Sequence, residues 1–170
     1  MAEEGGGGEA EKRVMVAIDE SENSYNALMW VLDNLKESIT KSPLVIFAAQ
    51  PPPQYNYTFA ASLGSARMYC PVSATADFVN SVREQEKKVV LGLLEKAKSI
   101  CTSRGVKAEI VTDIGDPSTA ICNAVEKLEI SLLILGNQGT GKLKSTLLGS
   151  VSSYCVQNAK CPVLVVKKPL

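Results

Sequence analysis

The chain has 170 residues, 45% of them hydrophobic, enough for one domain with a buried core rather than two. Its 18 basic and 18 acidic residues cancel, which argues against nucleic acid or an anionic membrane surface as the partner. It contains no histidine, so Ser-His-Asp and Cys-His catalysis are out and a zinc site is disfavoured.

The opening, MAEEGGGGEAEKR, is acidic and glycine-rich, unlike the basic-then-apolar start of a signal peptide, and residues 1–11 are expected to be a disordered tail. No apolar run approaches the roughly 20 residues of a membrane span, so the expected location is cytoplasmic or nuclear. Five cysteines without a C-x-x-C pair, mostly among apolar neighbours, read as reduced, packed thiols, with a redox role as the alternative.

In chain order, Arg13 to Ile18 is a short, nearly continuous apolar run, the pattern of a strand covered on both faces, and it ends at Asp19. The polar stretch Glu20 to Ser24 then leads into Ala27, Leu28, Val31, Leu32 and Leu35, whose spacing predicts a helix capped by Ser21 or Asn23. Pro43 to Ala49 is a second buried strand, stopped by Pro51-Pro-Pro53. An insert over 54–74, with Tyr55, Tyr57, Phe59 and Tyr69, is expected to be an irregular flap. Ala76 to Ser103 reads as a long amphipathic helix closing near Gly105.

Val106 to Thr112 is a third strand. Asp116-Pro117 supplies an N-cap and a first-turn proline for a helix over 118–128. Ser131 to Leu135, a helix over 151–159 and the run Pro162 to Lys167 complete the pattern. Alternating strand and helix define residues 12–170 as a single α/β domain, doubly wound on a parallel sheet with right-handed crossovers. Ligands in such sheets sit beyond the carboxyl ends of the strands, where Asp19, Ala49, Gly115-Asp116 and the loop after Leu135 all lie.

That loop, GNQGTGKLKSTLLGS over 136–150, is the most informative stretch. Its G-x-x-x-x-G-K start resembles a P-loop, but the magnesium-binding hydroxyl would be residue 143, which is leucine, and the last strand ends in Lys167-Lys168 rather than aspartate. The dinucleotide fingerprint fails too, because its third glycine would fall on Lys144. A two-part anion cradle does fit: Gly136 and Gly139 line the turn off the fourth strand, and Gly149-Ser150 opens the last helix, where unpaired N–H groups and the positive dipole end face outward. Each glycine could instead serve tight turning or close packing. Asp19 could be a ligand carboxylate or a helix cap, Asp116 is read as a cap, and Lys142 and Lys144 as phosphate neutralisers or solvated lysines.

Gly136-x2-Gly139-x9-Gly149-Ser150, followed by Val151-Ser152 and Cys161-Pro-Val-Leu-Val-Val166, resembles the nucleotide-binding signature of the universal stress protein (UspA) family, in its plant-type, adenine-nucleotide-binding branch. Val16-Ala-Ile-Asp19, Gln50-Pro-Pro-Pro53 and Gly115-Asp116-Pro117 extend the likeness from Val14 to Lys167. The resemblance implies a Rossmann-like (adenine nucleotide alpha hydrolase-like) fold of five parallel strands in the order 3-2-1-4-5, and a homodimer through the last strand, Val163 to Val166. It implies ATP or AMP as ligand, ATP with Mg2+, the base against Ala17 and Ala49 and the ribose on Asp19. Phosphates would meet Gly136, Gly139, Gly149, Ser150 and Val151, with Leu135 packed nearby.

Members of that family often carry histidine between the loop glycines, where this chain has Gln138, and Ala-Asp before the fourth strand, where it has Ile130-Ser131. The resulting expectation is a nucleotide-binding stress-response module without a nameable catalytic base. A slow ATP hydrolase and a nucleotide-independent chaperone or scaffold are the alternatives.

Overall fold

The structure is a computed structural model that describes residues 11–52, 75–137 and 148–168, together with the backbone of 56–63 and 66–73. Strand β1 spans Val14–Ala17 and is followed by helix α1, Glu22–Asn34, and strand β2, Leu44–Gln50. Strands β3, Asn56–Leu63, and β4, Ala66–Ser73, precede the long helix α2, Ala76–Ser103. Strand β5, Ala108–Ile114, helix α3, Pro117–Lys127, strand β6, Leu132–Gly136, helix α4, Ser150–Asn158, and strand β7, Val163–Val166, complete the order.

Five strands form one parallel sheet in the order β5-β2-β1-β6-β7, which is 3-2-1-4-5 when those five are counted along the chain. The central strands β1, β2 and β6 are apolar up to their carboxyl ends, where Gln50 and Gly136 stand, because both faces are covered. Val14, Val16, Leu44, Ile46 and Ile134 pack beneath α1 and α2. Met15, Ala17, Val45, Phe47, Leu133 and Leu135 alternate with them and face α3 and α4. Phe47 and Met15 are the largest of the fully buried side chains among the described residues.

Helix boundaries follow their chemical signals. Ser21 caps α1, its hydroxyl accepting from the Ser24 N–H at 3.2 Å. Asp116 caps α3, accepting from the Thr119 N–H at 3.2 Å, with Pro117 in the first turn. Helix α2 ends where Gly105 takes φ of +73°, a left-handed conformation that glycine adopts without steric cost.

Within the insert expected to be an irregular flap over 54–74, residues 56–63 and 66–73 instead form two paired strands. β3 and β4 pair antiparallel from Asn56↔Ser73 to Leu63↔Ala66, as a two-stranded sheet separate from the main one. The signal was in the sequence: β-favouring Tyr57, Phe59 and Tyr69 flank Gly64-Ser65, a dipeptide of the kind that closes two-residue hairpins. Of the tail expected over 1–11, all but Glu11 lies outside the described residues.

The buried thiols affect stability against pH. Burial pushes Cys101 up from 9.0 to about 11, only partly offset by a backbone hydrogen bond. A thiol whose folded pKa exceeds its unfolded value keeps its stabilising contribution below pH 9 and loses it as pH climbs toward 11, because only the unfolded chain releases the proton in that window. Melting curves at pH 8 and pH 10.5 should therefore show a fall in midpoint that is smaller in Cys101→Ala than in wild type. Equal falls in the two proteins would dismiss Cys101 as a source of the effect.

Candidate functional site

The carboxyl ends of β1 and β6 meet the first turns of two helices. At the end of β1 the chain turns at Asp19, whose Oδ1 accepts from the Ser21 N–H at 2.9 Å. The Asp19 N–H donates to Ser24 Oγ at 3.1 Å, and that hydroxyl donates back to the Asp19 carbonyl at 2.8 Å. Ser24 is buried on α1, while the Asp19 carboxylate is exposed at the rim. Asp19 therefore is not the helix cap; Ser21 is, and Asp19 shapes the turn that leads to it.

Gly136, the last residue of β6, lies directly beneath that same first turn. A Cβ built on Gly136 would sit 2.8 Å from the Ser24 nitrogen and closer still to the Asn23 carbonyl. This position is glycine because the α1 backbone occupies the space a side chain would need, so close packing accounts for it. On its other side Gly136 meets α4: its carbonyl accepts from Ser152 Oγ at 3.3 Å. Asn137, the next residue, donates its N–H to the Val166 carbonyl at 2.9 Å and accepts from the Gly149 N–H on Oδ1 at 3.3 Å.

Helix α4 begins at Ser150 behind Gly149, with no side chain capping it. The N–H groups of its first turn have no intrahelical acceptor by geometry, so this end carries a concentration of donors and the positive end of the helix dipole. Ser150 is exposed there and Val151 is half-buried.

A cavity of about 300 Å³ opens next to Asp19, walled by Glu20 and Pro51 on the strand side and by Glu86, Val89 and Leu93 of α2. Its lining combines the apolar Pro51, Val89, Val90 and Leu93 with three carboxylates. These carboxylates, Asp19, Glu20 and Glu86, would repel an anion.

The structure thus brings Asp19, Gly136, Gly149 and Ser150 to one rim through Ser24, Asn137 and Ser152. It places Ala17 and Leu135 differently. They are buried, at 7% and 4% exposure, in the core beneath α3 and α4, and Ala49 packs half-buried against the same cluster. These three approach the rim from the α3 and α4 face, whereas the cavity opens on the α2 face. Gly139, with Gln138, Lys142 and Lys144, lies outside the described residues. Sequence reading missed Ser24 and Asn137 as structural members of the rim, and quoted Ser152 without giving it a role. Nothing in the sequence separates Ser24, Asn137 or Ser152 from solvated neighbours; the burial of Ser24 and Ser152 comes only with the fold.

A doubly wound α/β domain, its crevice at the strand ends between two helix N-termini, is the class that fold and rim define. Within that class, the chain belongs to the universal stress protein family, whose pattern it matches over residues 11–167. It is 30% identical over 155 residues to universal stress protein YxiE of Bacillus subtilis, a match covering 91% of this chain and 98% of that one. With the universal stress protein A-like protein of Arabidopsis thaliana it shares 32% identity over 97 residues, 57% of this chain and 55% of that one, so this second match spans about half the relative's length.

Solved structures show the same fold at lower identity. A universal stress protein family protein from Arabidopsis thaliana with AMP bound superposes with a TM-score of 0.64 at 23% identity, covering 93% of this chain and 92% of that one. UspA from Lactobacillus plantarum gives 0.68 at 17% identity, covering 92% and 97%. A universal stress protein in complex with cAMP gives 0.63 at 20% identity, covering 94% and 99%.

Proposed function

We propose that this protein binds an adenine nucleotide, ATP or AMP, across the strand-end rim and serves as a stress-response regulatory module. The observation that carries the reading is the convergence of two helix N-termini on Gly136: the first turn of α1, with Asp19 attached, on one side, and the uncapped start of α4 on the other. Such a rim offers opposite chemistries at its two ends. A carboxylate at Asp19 can accept from both hydroxyls of a ribose, and the first-turn amides at Ser150 and Val151 can donate to phosphate oxygens, while Gly149, whose N–H goes to Asn137 Oδ1, lets a phosphate approach the backbone closely.

The charge pattern supports one direction for the ligand. Asp19, Glu20 and Glu86 line the cavity side, which favours phosphates at α4 and the sugar at Asp19. Ala17, Ala49 and Leu135 would support the base and the floor of the rim from the other face of the sheet, and Gly139 would extend the phosphate cradle. Among the described residues no group of three or more Cys, Asp or Glu side chains could hold a metal ion, so Mg2+ would arrive with ATP on its phosphates. Solved relatives with AMP and with cAMP support the choice of an adenine nucleotide.

We further place a homodimer at β7, which ends the sheet with its outer edge unpaired among the described residues and carries four half-buried apolar side chains, Val163 to Val166. Among those residues no helix is long and apolar enough to cross a membrane, and a cytoplasmic setting is part of the proposal.

The test is to purify the full chain under native conditions, denature it and identify released small molecules by mass spectrometry. AMP or ATP should appear in near-stoichiometric amount, or bind to emptied protein in calorimetry. Neither release nor heat of binding with either nucleotide would refute the reading.

A further inference from the structure

Three cysteines that the nucleotide site does not use gather between α3, α4 and the start of β7. Cys122 on α3 is half-buried, Cys155 on α4 is fully buried, and Cys161 before β7 is half-buried; all three are free thiols. The sulfurs of Cys122 and Cys155 stand 4.0 Å apart. A disulfide needs about 2.05 Å, so closing the pair takes a movement of about 2 Å shared by two side chains and the helices that carry them. Cys155 sits on the turn of α4 that follows Ser152, whose hydroxyl ties that helix to Gly136.

We propose that Cys122 and Cys155 form a thiol–disulfide modification site, closed by a hydroperoxide, which sets the position of the α4 N-terminus. The pairing of two helices by one bond distinguishes this from a lone thiol: closure draws α4 toward α3 and pulls on the Ser152 and Asn137 contacts that hold Gly149 at the rim. The consequence for ligand affinity rests on the nucleotide reading given above; the disulfide itself does not.

The chemistry balances with the peroxide as oxidant. Cys122, the more exposed partner, gives up its proton, and its sulfur attacks one peroxide oxygen. The O–O bond breaks, the leaving hydroxide takes a proton to become water, and Cys122 is left as sulfenic acid. The Cys155 sulfur then attacks the Cys122 sulfur, the S–O bond breaks, and the second hydroxide leaves with the Cys155 proton as water. Two thiols are oxidised by two electrons and one peroxide is reduced to two waters. Burial, reinforced by neighbouring Cys122, pushes the Cys155 thiol up to about 12, so in the reduced protein it is held as a protonated resolving thiol rather than the first to react.

The experiment treats the reduced full chain with a graded amount of hydrogen peroxide, blocks remaining thiols, and maps cross-linked peptides by mass spectrometry without reduction. A Cys122–Cys155 peptide pair in protein that still runs as a single chain on a non-reducing gel, reversed by dithiothreitol and absent in Cys122→Ser, is the expected result. A Cys122–Cys161 pair, an intermolecular bridge, or over-oxidation without any bridge would overturn the assignment. Cys155→Ala should also abolish the bridge, and because its site is fully buried, the half-buried Cys122→Ser decides if that variant does not fold.

Calorimetry with AMP separates the two readings. Affinity should be at least about fivefold weaker after oxidation, restored by dithiothreitol and unaffected by peroxide in Cys122→Ser. A bridge that forms with no change in affinity overturns the coupling to α4. Absence of AMP and ATP binding in the reduced protein, with the bridge still formed, defeats the nucleotide reading and leaves the disulfide site standing.

Discussion

Replacing Gly136 by valine should be among the most damaging single changes to this protein, lowering stability by about 3 kcal/mol, the upper end of what overpacking costs. The reason is steric. A Cβ at 136 would stand within 3 Å of the Ser24 nitrogen, and what it meets is main chain rather than the free end of a side chain that could swing away. Relief requires α1 to lift from the end of β6, which strips contacts from the buried face that includes Ala27, Leu28 and Val31. For a domain of this length such a loss lowers the melting temperature by about 6–12 °C. Gly136→Ala should act in the same direction and less severely. Chemical denaturation of the three proteins checks this, and unchanged midpoints in both variants would mean that the turn is not packed as described. A lifted α1 also carries Ser24 away from the Asp19 amide, so any folded Gly136→Val protein should bind nucleotide more weakly as well.

The second large effect is expected on binding. Asp19→Ala should weaken AMP or ATP affinity by about 1–3 kcal/mol, roughly 5- to 150-fold, through loss of charge-assisted acceptance from the ribose. Its effect on stability should be small, because the carboxylate is exposed and its bond to the Ser21 N–H is a surface turn. Asp19→Asn refines the experiment. An amide oxygen can still accept from Ser21, so the turn survives while the charge is removed, and affinity should fall between wild type and alanine. Titration calorimetry distinguishes the cases; wild-type affinity in both variants would take Asp19 out of the ribose site.

Particular residues show where sequence reading succeeded. The apolar runs of β1, β2 and β6 were legible as strands covered on both faces, and neighbours such as Val16 and Ala17 do face opposite layers. Ser21, Asp116-Pro117 and Gly105 marked helix ends because capping is a local matter of one side chain and a few backbone groups. The hairpin at 56–73 was missed although its signals were local, since a long aromatic insert between two α/β elements resembled an irregular loop. Gly136 and Gly149 were recognised as a pair, and for Gly136 the sequence left two reasons open, approach to phosphate or close packing; the structure shows the close packing, with α1 resting on it.

What sequence determined by itself was the succession of sheet strands and helices outside the 56–73 hairpin, the doubly wound α/β class and the family, because periodicity, caps and glycine spacing are written in neighbouring residues. Only the tertiary structure decided which face each side chain serves, that Ser152 reaches back 16 positions to Gly136, and that Cys122 meets Cys155 across 33 positions. Those contacts depend on how helices dock on a twisted sheet, a matter of packing between segments far apart in the chain, and no pattern within either segment records its partner.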